Sequence, residues 1–168
     1  IGSMQRDGMT LGWGMAACSW LAAMFDCTAS VELRDDGTAV VASAVQDIGT
    51  GTYTVMAQMV AEKLGIAVEQ VEVMLGDTDL PPGPLSGGSM LTASLVKPIN
   101  DAIAAAGEKL LVAVASSKGS PLGGAKPADL QFSNGRIASK AGGSSSLKFD
   151  EVLRAVKLKA VSGEGSGN

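Results

Sequence analysis

Large and small residues alternate from Leu11 to Ala16, with Leu11, Trp13 and Met15 on one side and Gly12, Gly14 and Ala16 on the other. That two-residue period predicts a strand. Residues 1–10 carry no periodicity, and Arg6-Asp7-Gly8 reads as a turn leading into it. The pattern lapses from Ala22 to Thr28, which predicts a connection. Val31 and Leu33 then alternate with Glu32 and Arg34, Asp35-Asp36-Gly37 supplies turn chemistry, and Thr38 to Val45 returns as a β-branched run, together a hairpin. Beyond a glycine-spaced turn, Val55, Met56, Met59, Val60 and Leu64 recur at helical spacing, and Gly65 stands where a left-handed cap ends a helix. The methionines of that stripe are expected in the core. Val68 to Leu75 follows as a strand, giving a βαβ-like unit.

Gly76 to Ser89 is dense in proline and glycine and predicts a loop, in which Asp77 and Asp79 are expected as turn formers rather than metal ligands. From Thr92 a long helical pattern runs through Ile99, Ile103, Leu110, Leu111 and Val114. Pro98 interrupts it, so the helix is expected to bend there or to begin as a separate short piece. Ser116 to Gly124 reads as a loop. Leu130 and Phe132 alternate up to Asn134-Gly135, and Arg136-Ile137 resumes on the far side as a small hairpin. Residues 142–146 read as another loop. Phe149 to Val156 predicts a short helix with Asp150 as N-cap and Lys157 and Lys159 near its negative pole.

These elements give an α+β fold, a mixed sheet of hairpins with two main helices packed on it. The domain is expected over residues 1–160, one lobe in extent. The glycine- and serine-rich residues 161–168 are expected as a linker or truncated tail.

Composition sharpens this. In 168 residues, 46% hydrophobic, 18% charged and only 4% aromatic with 22 glycines, the core must be built from small and aliphatic side chains with close backbone approach. A formal net charge of −4 with scattered basic residues argues against a nucleic-acid partner. Histidine is absent, which removes every Ser–His, Cys–His or zinc–His arrangement. Cys18 and Cys27 fit neither a zinc knuckle nor a CxxC pair; two buried free thiols are expected, with a single disulfide as the alternative. No apolar run reaches the roughly 18–20 residues of a membrane span, and Gly12 to Phe25 lacks the flanking basic residues of a signal segment. A soluble protein is expected.

The candidate chemistry lies at two helix starts. In Gln46-Asp47-Ile48-Gly49-Thr50-Gly51-Thr52-Tyr53-Thr54, two glycines free the backbone and three threonines surround the turn. The first amides of the following helix lack internal partners and sit at its positive pole, so the stretch suits an anion. The same pattern also serves a tight packing turn between strand and helix. A second start, led by Gly87-Gly88, carries Ser89, Thr92 and Ser94, with ordinary N-capping as its plain alternative. Neither turn has the GKS or GKT ending of a nucleotide hydrolase.

Gln46 to Thr54 (QDIGTGTYT), Val73 to Gly83 (VMLGDTDLPPG) and Ser86 to Ser94 (SGGSMLTAS), in collinear order, resemble the molybdenum-binding subunit of the xanthine dehydrogenase/aldehyde oxidase family. Arg6-Asp7-Gly8 followed by Leu11 to Ala16 is similar to the segment preceding them in bacterial periplasmic-type aldehyde oxidases. The resemblance runs from about Arg6 to Val114 and more loosely to Val156. It implies one lobe of the molybdopterin-binding domain. It implies cofactor contacts at Gly49, Thr50 and Gly51, flanked by Gln46 and Thr54, and at Thr92, Ala93 and Ser94, preceded by Gly88 and Ser89. Many relatives carry Gln where this sequence has Thr50.

The cofactor so implied is molybdopterin with molybdenum, in its cytosine dinucleotide form, serving oxidation of aldehydes or purines and other N-heterocycles with water as oxygen source. Iron–sulfur clusters and FAD are expected only in partner subunits, and the remainder of the molybdenum subunit as a further partner. The family's catalytic glutamate lies in a G-x-G-E segment much further along a longer chain. Glu164 is read as linker, so no catalytic residue and no metal ligand is expected in these 168 residues, and the isolated chain is expected to be inactive and to self-associate. The location is expected to be cytoplasmic, or periplasmic after export with a partner subunit. A non-catalytic interaction or assembly domain is the alternative function.

Overall fold

The computed structural model describes residues 2–21, 23–117, 120–142 and 145–167. Parts of the expected lead-in (residue 1), connection (22), loops (118–119 and 143–144) and tail (168) lie outside them. In chain order the elements are β1 (Met4–Arg6), β2 (Met9–Leu11), β3 (Cys27–Arg34), β4 (Ala39–Ala42), α1 (Thr52–Leu64), β5 (Val71–Met74), α2 (Leu91–Ser116), β6 (Leu130–Ser133), β7 (Arg136–Ser139), β8 (Ser146–Lys148), α3 (Phe149–Ala155) and β9 (Ala160–Gly167).

The main sheet has the order β5-β4-β3-β9. β3 pairs antiparallel with β4 through the expected turn, and β4 pairs parallel with β5. The connection between those parallel strands is α1, so the βαβ unit is formed. Residues Cys27, Ala29, Val31 and Leu33 of β3 are buried and alternate with half-buried ones, the pattern of a sheet with one face covered. α2 covers that face along β3 and β9, with α1 beside it over β4 and β5. Met56, Val60 and Leu64 of α1 and Leu95, Ile99, Ala102, Ala106 and Leu110 of α2 fill the space between. Among the described residues Phe149 is the single aromatic in the buried hydrophobic set. The core is thus the small, aliphatic one that the composition predicts. Gly65 ends α1 in the left-handed region at φ 62°, and Asn134-Gly135 turns the β6–β7 hairpin at φ 50° and 63°.

The structure corrects the expectations at both ends of the chain and at several points between. Of the expected linker 161–168, residues 161–167 are strand: Ala160–Gly167 pairs antiparallel with β3 over its whole length. Its glycines are what admit α2, since a Cβ on Gly163 would lie 2.1 Å from the Ala102 oxygen and one on Gly165 2.2 Å from the Pro98 oxygen. A strand whose buried face is glycine has no apolar pattern to read. At the other end, the strand expected from Leu11 to Ala16 stops at Leu11; β2 pairs only with β1 about the Asp7-Gly8 turn. Trp13 and Met15 are 83% and 91% exposed.

α2 is one continuous helix through Pro98, so its start is not a separate piece. α3 begins at Phe149 with Lys148 as N-cap; Asp150 is inside the first turn, where it accepts from Arg154 Nη2 at 2.7 Å, and Glu151 closes the start by accepting from the Lys148 amide at 2.7 Å. The loop expected at 142–146 ends in β8, a third strand beside β7. Val68–Gln70, expected as strand, is a 3-10 turn. Both cysteines are free thiols; Cys27 is buried as expected, but Cys18 is exposed. Among the described residues no helix is long and apolar enough to cross a membrane.

Candidate functional site

Parallel pairing of β4 and β5 sends the segments that follow both strands to the same edge of the sheet, where open α/β sheets commonly place ligands. The chain after β4 extends alongside the loop after β5: Ala44 N–H donates to Pro81 O at 2.7 Å and Gly76 N–H to Val45 O at 2.8 Å. Gly83 fits beside Val45 only for want of a side chain, since a Cβ there would lie 2.2 Å from Val45 Cγ1. Ser86 Oγ then donates to Gln46 Oε1 at 2.6 Å and accepts from the Gln46 amide at 3.2 Å. These contacts set the turn before α1 against the loop before α2.

Between them lies a cleft of about 450 Å³ lined by Ile48, Thr50, Ser86, Gly87, Gly88, Ser89, Met90, Leu91 and Thr92. The two helix starts picked out by the sequence therefore share one cavity. The two starts differ chemically.

At the start of α1 the glycine turn already holds an anion of its own. Asp47 Oδ1 accepts from the amides of Gly49 and Thr50 at 2.8 Å each and of Gly51 at 3.2 Å, and Oδ2 accepts from the Tyr53 amide at 3.4 Å. Desolvation is the largest single influence and raises the carboxyl pKa, yet the four amide bonds together prevail and hold it below its ordinary value. The amides expected to cradle a phosphate are thus engaged by the neighbouring side chain.

At the start of α2 nothing comparable is found. Met90 is the N-cap, no side chain among the described residues bonds the first amides, and no acidic residue stands in the first turn. The long helix accordingly opens with uncapped N–H groups at its positive pole. Ser89, at φ 58°, and Thr92 bring hydroxyl groups to the same wall.

Of the expected site residues, Thr50, Gly88, Ser89 and Thr92 line the cleft. Gln46 clasps Ser86, Gly49 and Gly51 bind Asp47, and Thr54 is exposed on α1. Ala93 is exposed outside the lining, and Ser94 is fully buried, its Oγ donating to Met90 O and accepting from the Phe25 amide, both at 2.9 Å. Sequence reasoning missed the apolar lining of Ile48, Met90 and Leu91 and the cap from Asp47. The spacing Asp-x-Gly, an Asx-turn signature, was the available sign of the latter. Asp77 is a turn former as expected, accepting from the Asp79 amide at 2.9 Å.

Residues 2–168 match the model of the molybdopterin cofactor-binding domain family. The chain belongs to that family. As a molybdopterin cofactor-binding domain it is 35% identical over 156 residues to the aldehyde oxidoreductase molybdenum-binding subunit PaoC of Escherichia coli (strain K12), a match covering 92% of this chain and 20% of the relative. It is 32% identical over 127 residues to a nicotinate dehydrogenase subunit of Pseudomonas putida, covering 74% of this chain and 10% of the relative. These matches group the domain with molybdenum-binding subunits of the aldehyde oxidase/xanthine dehydrogenase family.

The crystal structure of a Cu,Mo-CO dehydrogenase in its carbon monoxide reduced state shares the fold at a TM-score of 0.63 and 20% identity, covering 86% of this chain and 18% of that one. The domain thus spans at most about a fifth of the length of these relatives.

Proposed function

We propose that the cleft between the two helix starts binds the anionic part of a molybdopterin cofactor, in its cytosine dinucleotide form, and that the chain serves a molybdenum-dependent oxidoreductase. The observation that carries this reading is the uncapped start of α2, free of acidic residues and opening into a cleft that also holds Ser89, Thr92 and Thr50. An anion there gains the positive pole of a 26-residue helix and several N–H and O–H donors. Gly88 and Thr92 form the wall, Ile48, Met90 and Leu91 offer apolar contact, Gln46, Gly49, Gly51 and Ser94 hold the two starts through their hydrogen bonds, and Thr54 and Ala93 are exposed on the two helices as further contacts.

Bound there, the cofactor supplies the redox chemistry for oxidising an aldehyde or an N-heterocycle with water as oxygen source. The names of the relatives, an aldehyde oxidoreductase subunit and a nicotinate dehydrogenase subunit, support that substrate range. Iron–sulfur and FAD subunits carry the electrons away, and the remainder of the molybdenum subunit completes the site. The 168 residues alone do not turn over substrate above a cofactor-only control. The location follows the partners, cytoplasmic or periplasmic.

The test is Thr92→Asp. A carboxylate in the first turn favours the helix and so leaves the fold intact, while it repels an anion in the cleft. Loss of cofactor from the purified protein with an unchanged thermal midpoint supports the reading. Cofactor retention equal to that of the parent protein overturns it.

A further inference from the structure

Trp20 lies outside the cleft, and its indole N–H donates to Gly88 O at 2.7 Å across 68 residues of sequence. Gly88 and Ser89 are successive left-handed residues, at φ 59° and 58°, at the centre of a turn that the Met90 N–H closes on Gly87 O at 3.3 Å. The peptide joining them is trans, as are all peptides among the described residues. In a trans peptide the C=O and N–H point in opposite directions from one rigid plane. Holding the Gly88 oxygen toward the indole therefore turns the Ser89 N–H the other way. Among the described residues that N–H has no protein acceptor, and Ser89 lines the cleft.

Two more bonds from the same side fix the next turn. The Phe25 amide donates to Ser94 Oγ, and the Cys27 thiol donates to Ser94 O at 3.3 Å. Opposite them, Ser86 is clasped by Gln46. The wall is thus held from both flanks, with Gly88 tied by Trp20.

We infer that Trp20 is a positioning residue for the anion cleft: its indole N–H orients the Gly88–Ser89 peptide so that the Ser89 amide joins the uncapped amides of α2 as a donor to the bound anion. This rests on the cofactor reading above. Trp20 touches no ligand itself; it acts through one peptide plane. Its 71% exposure separates that role from core packing, since little hydrophobic burial is lost with the ring.

The test uses the complete protein carrying this chain, with Trp20→Phe, which keeps a ring and loses the donor, and Trp20→Ala. Hydrogen exchange followed by mass spectrometry on the cofactor-free protein is expected to show residues 86–94 exchanging roughly five- to tenfold faster in both variants, the size of one lost hydrogen bond. Exchange in 98–116 and in β3 stays at the parent rate. Molybdopterin affinity weakens by a similar factor while the thermal midpoint holds. Unchanged exchange over 86–94 in Trp20→Phe overturns the inference, as does faster exchange with unchanged affinity. Failure of the cofactor reading is seen separately, as full cofactor retention in Thr92→Asp with the exchange effect of Trp20→Phe still present; the role assigned to Trp20 then falls while its bond to Gly88 stands.

Discussion

The Cys27 thiol donates to the Ser94 carbonyl oxygen at 3.3 Å, and that oxygen is the one Pro98 leaves without a helix partner. In an α-helix the carbonyl of residue i−4 accepts from the amide of residue i, and proline has no N–H to give. Ser94 is fully buried, so no water replaces the missing donor. A residue 67 positions away therefore repairs the gap that lets α2 run unbroken through a proline.

Cys27→Ala is expected to leave the Ser94 carbonyl buried and unpartnered, at about 1–3 kcal/mol of stability. Cys27→Ser, which restores a donor, costs less. In a Pro98→Ala background the helix amide returns and the penalty of Cys27→Ala shrinks. A double-mutant cycle by denaturant titration reads this coupling; additive effects would show that thiol and proline are independent.

Burial, and after it the charge of Asp26, pushes the Cys27 thiol above its ordinary value of 9.0. A raised folded pKa means the native state keeps a proton that the unfolded chain has lost. The contribution is present in full below pH 9.0 and is lost as pH rises from there through the folded value. The alkaline fall in stability should be shallower in Cys27→Ala than in the parent, as measured by denaturation midpoints across that range. Identical alkaline slopes would exclude the thiol.

The Asp47 carboxyl has the opposite sign. Its folded pKa lies below the ordinary 3.8, so the unfolded chain binds the proton first, and stability supplied above that value is lost as pH falls through the folded one. Asp47→Asn should flatten the acid limb of stability against pH. The same substitution removes a negative charge next to the cleft and should tighten anion binding by roughly two- to fivefold at low salt, the scale of a charge near a helix start, with the gain fading as salt rises. An acid limb parallel to the parent's would mean that the carboxylate does not cap the turn.

The elements that were legible in the sequence are those whose signals are local. Asp35-Asp36-Gly37 and Asn134-Gly135 carry their turns in themselves, and Gly65 carries the end of α1. The two helix starts were visible as glycine and hydroxyl clusters, and their meeting in one cleft follows from the parallel β4–β5 pairing that the βαβ pattern implied. What escaped depends on which partner a side chain takes, near in sequence for Asp47 and 68 residues away for Trp20. Asp47 reads as one more polar residue until its carboxylate is seen within the glycine turn, and Trp20 as one more apolar residue beyond the Leu11–Ala16 alternation that predicts a strand. Ser94 is expected as a cofactor contact from its place in the Thr92-Ala93-Ser94 match, and the structure adds that its hydroxyl is engaged by Met90 and Phe25.

The longest-range case is β9. Its glycines had the composition of a linker because the face they present to α2 must carry no side chain at all. Gly163→Ala and Gly165→Ala would place a methyl group 2.1 Å from the Ala102 oxygen and 2.2 Å from the Pro98 oxygen. Backbone atoms in the middle of a helix cannot swing aside as a side chain can, so α2 must lift from the sheet or β9 must leave β3. Each substitution is expected to cost at least about 1–3 kcal/mol, the usual range for overpacking, and valine more than alanine. Ser162→Ala and Ser166→Ala, on the outward face of the same strand, should be near neutral. Denaturation midpoints across this set decide the matter: a linker would tolerate all of the changes alike, whereas a strand under a helix distinguishes the glycines from the serines.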